Sequence, residues 1–304
     1  MELRRLGGED GFDISVVGLG CNAFGRRLSE ADSTPVIHAA LDAGISFFDT
    51  AEIYGDGLSE EFVGRAIAGH RDEIRIATKF GLRKLHVQGK GSGSRENIRI
   101  AIDLSLKKLG TEIIDLYQIH MPDPSTPIAE TLGAMNELVT EGKVRLIGCS
   151  NFSADQLRAA AETAKTMGIK SFVTAQNEWS LLDRDIEAAL APACVETGAT
   201  ILPFYPLARG LLTGKYRREG SPTGSRLGSE LHGVDFDVLE ALEAFAVARG
   251  FTLLTLAVSW LASQKVTASV ISGAAHADQP AQNAAAAAWK MTAEDMAEID
   301  LILG

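Results

Sequence analysis

Eight short apolar runs, evenly spaced and separated by helix-forming stretches, constrain this chain more than any other feature. They read VVGLGC (16–21), ISFFDT (45–50), IRIATK (74–79), IIDLYQIH (113–120), VRLIGCS (144–150), FVTAQNE (172–178), TILPFY (200–205) and ASVISG (268–273). Most are continuous rather than alternating, as strands covered on both faces should be. Two earlier segments, 3–6 and 12–15, read as a hairpin. The repetition predicts an α/β chain folded as a single (β/α)8 TIM barrel over 1–304, with an N-terminal β-hairpin and an additional C-terminal helix. The competitor is an open doubly wound sheet. Its fingerprint would be GxGxxG after the first strand. GLGCNAFG lacks the third-glycine spacing, and no suitably placed acid follows to bind a ribose.

Helix ends support the same division. Over 95–109, Ile98, Ile102, Leu106 and Leu109 form one stripe, and Gly110 stops the helix. Thr126 and Pro127 are expected as N-cap and first turn. Ser153 with Gln156, and Thr292 with Asp295, are expected as capping boxes. The apolar helix 253–262 is expected to bury Trp260. The largest irregular insert, 208–233, is rich in Gly, Ser and Arg. It follows the seventh strand, where a barrel carries a loop over its active face.

Composition narrows the function. Hydrophobic residues make up 46% of the 304, enough for a large core. The net charge of −11 disfavours nucleic acid and anionic membrane surfaces as partners. Cys21, Cys149 and Cys194 form no metal-binding spacing, so no metal is expected. MELRRLGGEDG lacks the apolar run of a signal peptide, and no apolar stretch reaches transmembrane length. The cytoplasm is the expected location.

In a barrel, strand C-termini share one mouth. Asp49, Lys79 and His120 end three consecutive strands, and Tyr54 follows Asp49 by five residues. A phenol titrates near 10, too high for easy acid catalysis at neutral pH. A neighbouring Lys79 ammonium would favour the phenolate and lower that value. Asp49 would orient the ammonium, and His120 would orient a carbonyl oxygen near Tyr54.

The chain resembles the aldo-keto reductase superfamily. The resemblance rests on FDTAEIYG (48–55), ATKFG (77–81), LYQIHMPD (116–123), IGCSNF (147–152), AQNEWSLL (175–182), FYPLARGLLTGKY (204–216) and VISGAAHADQPAQN (270–283). It implies carbonyl reduction with a nicotinamide cofactor bound without a Rossmann fold. Asp49, Tyr54, Lys79 and His120 fall on the family tetrad, with Tyr54 as general acid. Ser150, Asn151 and Gln176 fall on positions that hold the nicotinamide carboxamide. Phe204 falls where an aromatic, usually Tyr, stacks beneath the ring. Leu207 to Leu212, including Gly210, resembles the loop beside the pyrophosphate. Gly273, Gln279, Gln282 and Asn283 match positions near the adenosine and its 2′-phosphate.

The resemblance implies NADPH as cofactor. Members favouring NADPH carry Lys or Arg in or just after the last strand. Here Gly273, Ala274, Ala275 and His276 stand there, so weakened NADPH preference is expected, with NADH also used. Phe24, Phe80, Met121, Phe152 and Trp179 are expected to line an apolar pocket suited to an aromatic or medium-sized aldehyde. Two alternatives remain. One is a nicotinamide-binding regulatory or channel-associated subunit, since the resemblance includes such relatives. The other is an aldolase using Lys79 as a Schiff-base nucleophile.

Overall fold

The computed structural model describes residues 1–82, 87, 89–218, 220, 231 and 233–304. Among them, ten strands run β1 (Leu3–Leu6), β2 (Phe12–Ser15), β3 (Val17–Gly20), β4 (Phe47–Asp49), β5 (Arg75–Phe80), β6 (Ile114–Ile119), β7 (Val144–Ser150), β8 (Thr174–Gln176), β9 (Thr200–Ile201) and β10 (Val270–Gly273). The first two form the antiparallel hairpin. The other eight form one parallel sheet in the order β10-β3-β4-β5-β6-β7-β8-β9. Its edges meet: Ile201 N donates to Val266 O at 2.7 Å, Ala268 N to Ile201 O at 2.9 Å, and Ile271 N to Pro203 O at 3.0 Å. The sheet therefore curls round on itself, as the eight apolar runs predict.

Helices follow the strands: α1 (Glu30–Asp42), α2 (Leu58–Ala66), α3 (Arg95–Leu109), α4 (Ile128–Thr140), α5 (Ala154–Met167), α6 (Leu190–Thr197), α7 (Phe236–Ala248), α8 (Leu253–Ser263), α9 (Gln279–Ala285) and the additional C-terminal α10 (Ala293–Leu303). Gly110 ends α3 in the left-handed region at φ 61°, and both expected capping boxes are present. Trp260 is fully buried. One helix start differs from expectation. Pro127, not Thr126, occupies the N-cap of α4. The Thr126 hydroxyl instead donates to Asp123 Oδ2 at 2.6 Å. Asp123 also accepts from Gly93 N and from the Ser125 amide and hydroxyl. Partial burial raises its carboxyl, but these donors prevail and hold it at about 2.

Strand residues alternate between the barrel interior and the helices. Phe47, Ala77, Leu116, Leu146, Leu202 and Ile271 point inward and pack with Leu6, Phe12 and Ile14 of the hairpin. The hairpin thus plugs the barrel floor. Each large apolar side chain buried there contributes about 1.5–3 kcal/mol. Above this floor, Thr174 Oγ1 donates to Gln118 Oε1 at 3.2 Å. A Cβ on Gly148 would lie 2.0 Å from Thr174 Oγ1, so glycine leaves room for that pair. The outward set, including Phe48, Ile76, Phe80, Tyr117, Ile119 and Ile147, belongs to the larger core under the helices. Two residues beyond the floor, Phe47, Ala77 and Leu116 give way to Asp49, Lys79 and Gln118, and the interior becomes polar on these strands.

Of the long insert 208–233, residues 208–218, 220, 231 and 233 are described. The rest lies outside the described residues.

Candidate active site

The top interior layer gathers Asp49, Lys79 and His120, as the strand ends predict. The Lys79 side chain is fully buried. Its Nζ donates to Asp49 Oδ1 at 2.8 Å, to Asp49 Oδ2 at 2.7 Å and to Thr50 O at 2.9 Å. It also lies 3.4 Å from Tyr54 Oη and 5.1 Å from the centre of that ring. Burial works against the ammonium most strongly. The charges and hydrogen bonds of Asp49 and Tyr54 outweigh it, so Lys79 titrates above its ordinary value.

Local backbone turns Tyr54 back over the barrel. Thr50 N donates to Ala77 O, and Glu52 N to Lys79 O, tying the loop to the next strand. Tyr54 N closes a turn on Ala51 O at 3.0 Å. Gly55 follows at φ 57°, and a Cβ there would meet the Gly25 backbone at 2.7 Å. Only glycine permits both that conformation and that approach.

The Tyr54 phenol departs from expectation. Burial pushes its pKa up; Lys79 acts in the opposite direction without prevailing, and Asp49 adds to the rise. The phenol therefore holds its proton at neutral pH. The Tyr54 and His120 rings meet edge-on, with centres 5.9 Å apart. Burial, with the Lys79 charge second, lowers His120 to about 3, so the imidazole is neutral. Its Nδ1 is buried without a hydrogen-bond partner among the described residues.

The tetrad opens into a cavity of about 660 Å³. Ser150, Asn151, Gln176 and Phe204 line it beside the tetrad, while Gly273, Gln279, Gln282 and Asn283 line it from the last strand and α9. Leu207 and Gly210 also line it. Leu212 does not: it is fully buried in the core below. His276 is exposed outside the lining, its backbone N–H donating with that of Ala275 to Gln279 Oε1. The amides are already networked. Gln176 Nε2 donates to Asp49 Oδ1 at 2.9 Å, and Asn151 Nδ2 to His120 O at 3.0 Å. Ser150 Oγ donates to Gln176 O at 2.8 Å.

The expected aromatic collar is not brought to this cavity. Phe24 is buried, Phe80 stacks on Tyr117 at 4.8 Å, and Phe152 meets Phe172 at 5.6 Å. Trp179 is 2% exposed, meets Trp260 at 5.7 Å and donates to Glu187. Met121 is 39% exposed, away from the cavity lining. Apolar lining comes instead from Ile53, Leu82, Tyr205 and Leu254.

Four basic residues also line the cavity: Arg26, Arg27, Arg209 and Lys215. Arg209 falls in the segment expected beside the pyrophosphate and Lys215 in the same motif, whereas no expectation covered Arg26 and Arg27. The signal was present in FGRRL, which follows the first barrel strand and so opens onto the same mouth. Arg209 and Lys215, the amides and the aromatic Phe204 fit a dinucleotide, which needs charge at its phosphates and amides at its carboxamide. Among the described residues, no group of three or more His, Cys, Asp or Glu side chains could hold a metal ion. No single described helix is long and apolar enough to cross a membrane.

The aldo/keto reductase family model matches residues 16–303. The chain is 38% identical to the probable aldo-keto reductase 1 of Glycine max, over 96% of its own length and 86% of that protein's. It is 35% identical to the aldo-keto reductase YhdN of Bacillus subtilis (strain 168), over 97% and 92%. Its fold matches that of a glycerol dehydrogenase from Gluconobacter oxydans with a TM-score of 0.85 and 32% identity, covering 99% of this chain and 94% of that one. The chain therefore belongs to the aldo-keto reductase family and is an NAD(P)-dependent oxidoreductase acting on carbonyl substrates.

Proposed function

We propose that this protein reduces an aldehyde or ketone to an alcohol, with Tyr54 as the general acid, the same residues serving the reverse oxidation. The supporting observation is the 3.4 Å approach of Lys79 Nζ to Tyr54 Oη, with Lys79 fixed by both oxygens of Asp49. Burial keeps the phenol protonated before reaction. Lys79 stabilises the negative charge that develops on Tyr54 Oη as its proton moves to the substrate oxygen. Neutral His120 donates a hydrogen bond to that oxygen and aims it at Tyr54. A bound reduced nicotinamide supplies the hydride to the carbonyl carbon.

Ser150, Asn151 and Gln176 would hold the carboxamide, and Phe204 would face the ring. Arg209, Gly210 and Lys215 would hold the diphosphate, which makes the segment beginning at 208 an active-face loop within one 304-residue domain. Gly273, Gln279, Gln282 and Asn283 would hold the adenosine end. With Ala274 and Ala275 at the cavity wall, NADH serves alongside NADPH. The firmly charged Lys79 opposes a Schiff-base role, which needs a neutral amine.

The test is oxidation of NADPH, and of NADH in parallel, with 4-nitrobenzaldehyde. In Tyr54→Phe, kcat should fall by about 10²–10⁴-fold, while cofactor binding followed by protein fluorescence persists. A variant as active as the wild type would remove Tyr54 from the mechanism.

A further inference from the structure

Among the described residues, the charged side chains that line the cavity are Asp49, Arg26, Arg27, Arg209 and Lys215. Asp49 is already matched by Lys79, and His120 is neutral. Arg209 lies 3.9 Å from Glu178, which stands outside the lining. The described lining thus carries an excess of cations in a chain whose net charge is −11. Such a contrast concentrates anions at the site. Arg209 and Lys215 sit on the segment assigned above to the diphosphate. A Cβ on Gly210 would lie 3.5 Å from Lys215 Nζ, so the two ends of that segment fold together. Arg26 and Arg27 come from a different loop.

That loop is built rather than slack. Gly25 N donates to Leu28 O at 2.9 Å, Arg27 N to Ala23 O at 2.9 Å and Leu28 N to Ala23 O at 3.0 Å. Gly25 touches Gly55, the residue after Tyr54. The arginines therefore ride on the rim beside the proton donor, and the apolar Ile53 and Leu82 line the same cavity. A guanidinium offers a planar fork of donors that matches a carboxylate or phosphate. The Arg26 side chain is exposed at the mouth, so its guanidinium is hydrated until a ligand arrives.

We infer that the substrate is an aldehyde or ketone carrying an oxyanion, a carboxylate or a phosphate, held by Arg26 with Arg27 adding to the positive potential. This rests on the carbonyl-reduction reading above. It reverses the substrate class that an aromatic collar would have favoured.

The test compares 4-carboxybenzaldehyde with 4-nitrobenzaldehyde, whose para groups match in shape but differ in charge. A second arm compares glyceraldehyde 3-phosphate with glyceraldehyde. In Arg26→Gln, the ratio of kcat/KM for the anionic over the neutral partner should fall about five- to tenfold in at least one arm. The arm that responds identifies carboxylate or phosphate. Arg26→Lys, which keeps the charge but not the fork, should give an intermediate ratio. Added salt should lower the ratio in the wild type and do so less in Arg26→Gln. Turnover of the neutral aldehydes with both ratios unchanged in Arg26→Gln would overturn the inference alone. Absence of turnover of all four compounds would overturn the reduction reading and the inference with it.

Discussion

Gln176 Nε2 donates to Asp49 Oδ1 at 2.9 Å and so joins β8 to β4 across the mouth of the barrel. These strands are not neighbours in the sheet. Oδ1 therefore answers to two donors, Gln176 and Lys79. Replacing Gln176 by Leu keeps the volume and removes one of them. We expect a stability loss of about 1 kcal/mol in urea unfolding and a fall in kcat with both nicotinamides. An unchanged kcat would detach Gln176 from the positioning of Asp49.

The Lys79–Asp49 pair predicts a non-additive double substitution. Lys79→Met leaves a buried carboxylate without its cation, with only the Gln176 amide still donating to it, at a cost of about 3–5 kcal/mol. Adding Asp49→Asn removes that charge and should recover at least half of the loss. Urea denaturation of the two singles and the double measures this. A double variant no more stable than Lys79→Met would refute it.

His120 predicts the sign of an acid effect. Its folded-state value is about 3, against an ordinary 6.5. Between those values the unfolded chain binds the proton and the folded chain does not. The stability that neutral His120 allows is therefore complete above about pH 6.5 and is lost as pH falls towards 3. His120→Asn should flatten the dependence of urea midpoint on pH between 4 and 7. The wild-type kcat profile should carry no His120 inflection between pH 5 and 8.

Ala275 predicts how cofactor choice is changed. It lines the cavity at the end assigned to adenosine. Ala275→Arg would supply the fork that a 2′-phosphate takes, raising the NADPH over NADH ratio of kcat/KM about tenfold. The same ratio in variant and wild type would move the 2′-phosphate site elsewhere.

Most of the fold was legible because buried strands, glycine stops and capping boxes are local signals. VRLIGCS and its capping box at Ser153 are cases in point. The tetrad was legible because barrel topology converts strand ends into neighbours. The collar was misread for a reason also written in the strands. Lys79 and Phe80 are adjacent, so if Lys79 faces the interior, Phe80 must face the helices. Trp179 was misread because its partner Trp260 lies 81 positions later, a pairing that only the folded chain reveals. The direction of the Tyr54 shift depends on burial against charge, which spacing alone does not weigh. Arg26 and Arg27 belong to no recognisable motif; only their place after the first barrel strand turns them towards the mouth.

The hairpin plug under the barrel has a consequence for timing. With Leu6, Phe12 and Ile14 closing the floor, the described residues leave the tetrad open from above. Two guests that share one doorway must queue. On the seating proposed above, with the nicotinamide against Ser150 and Gln176, the cofactor has to arrive before the carbonyl substrate that rests on it, and to depart after it. The order of a catalytic cycle is thus set partly at the end of the molecule where no chemistry occurs.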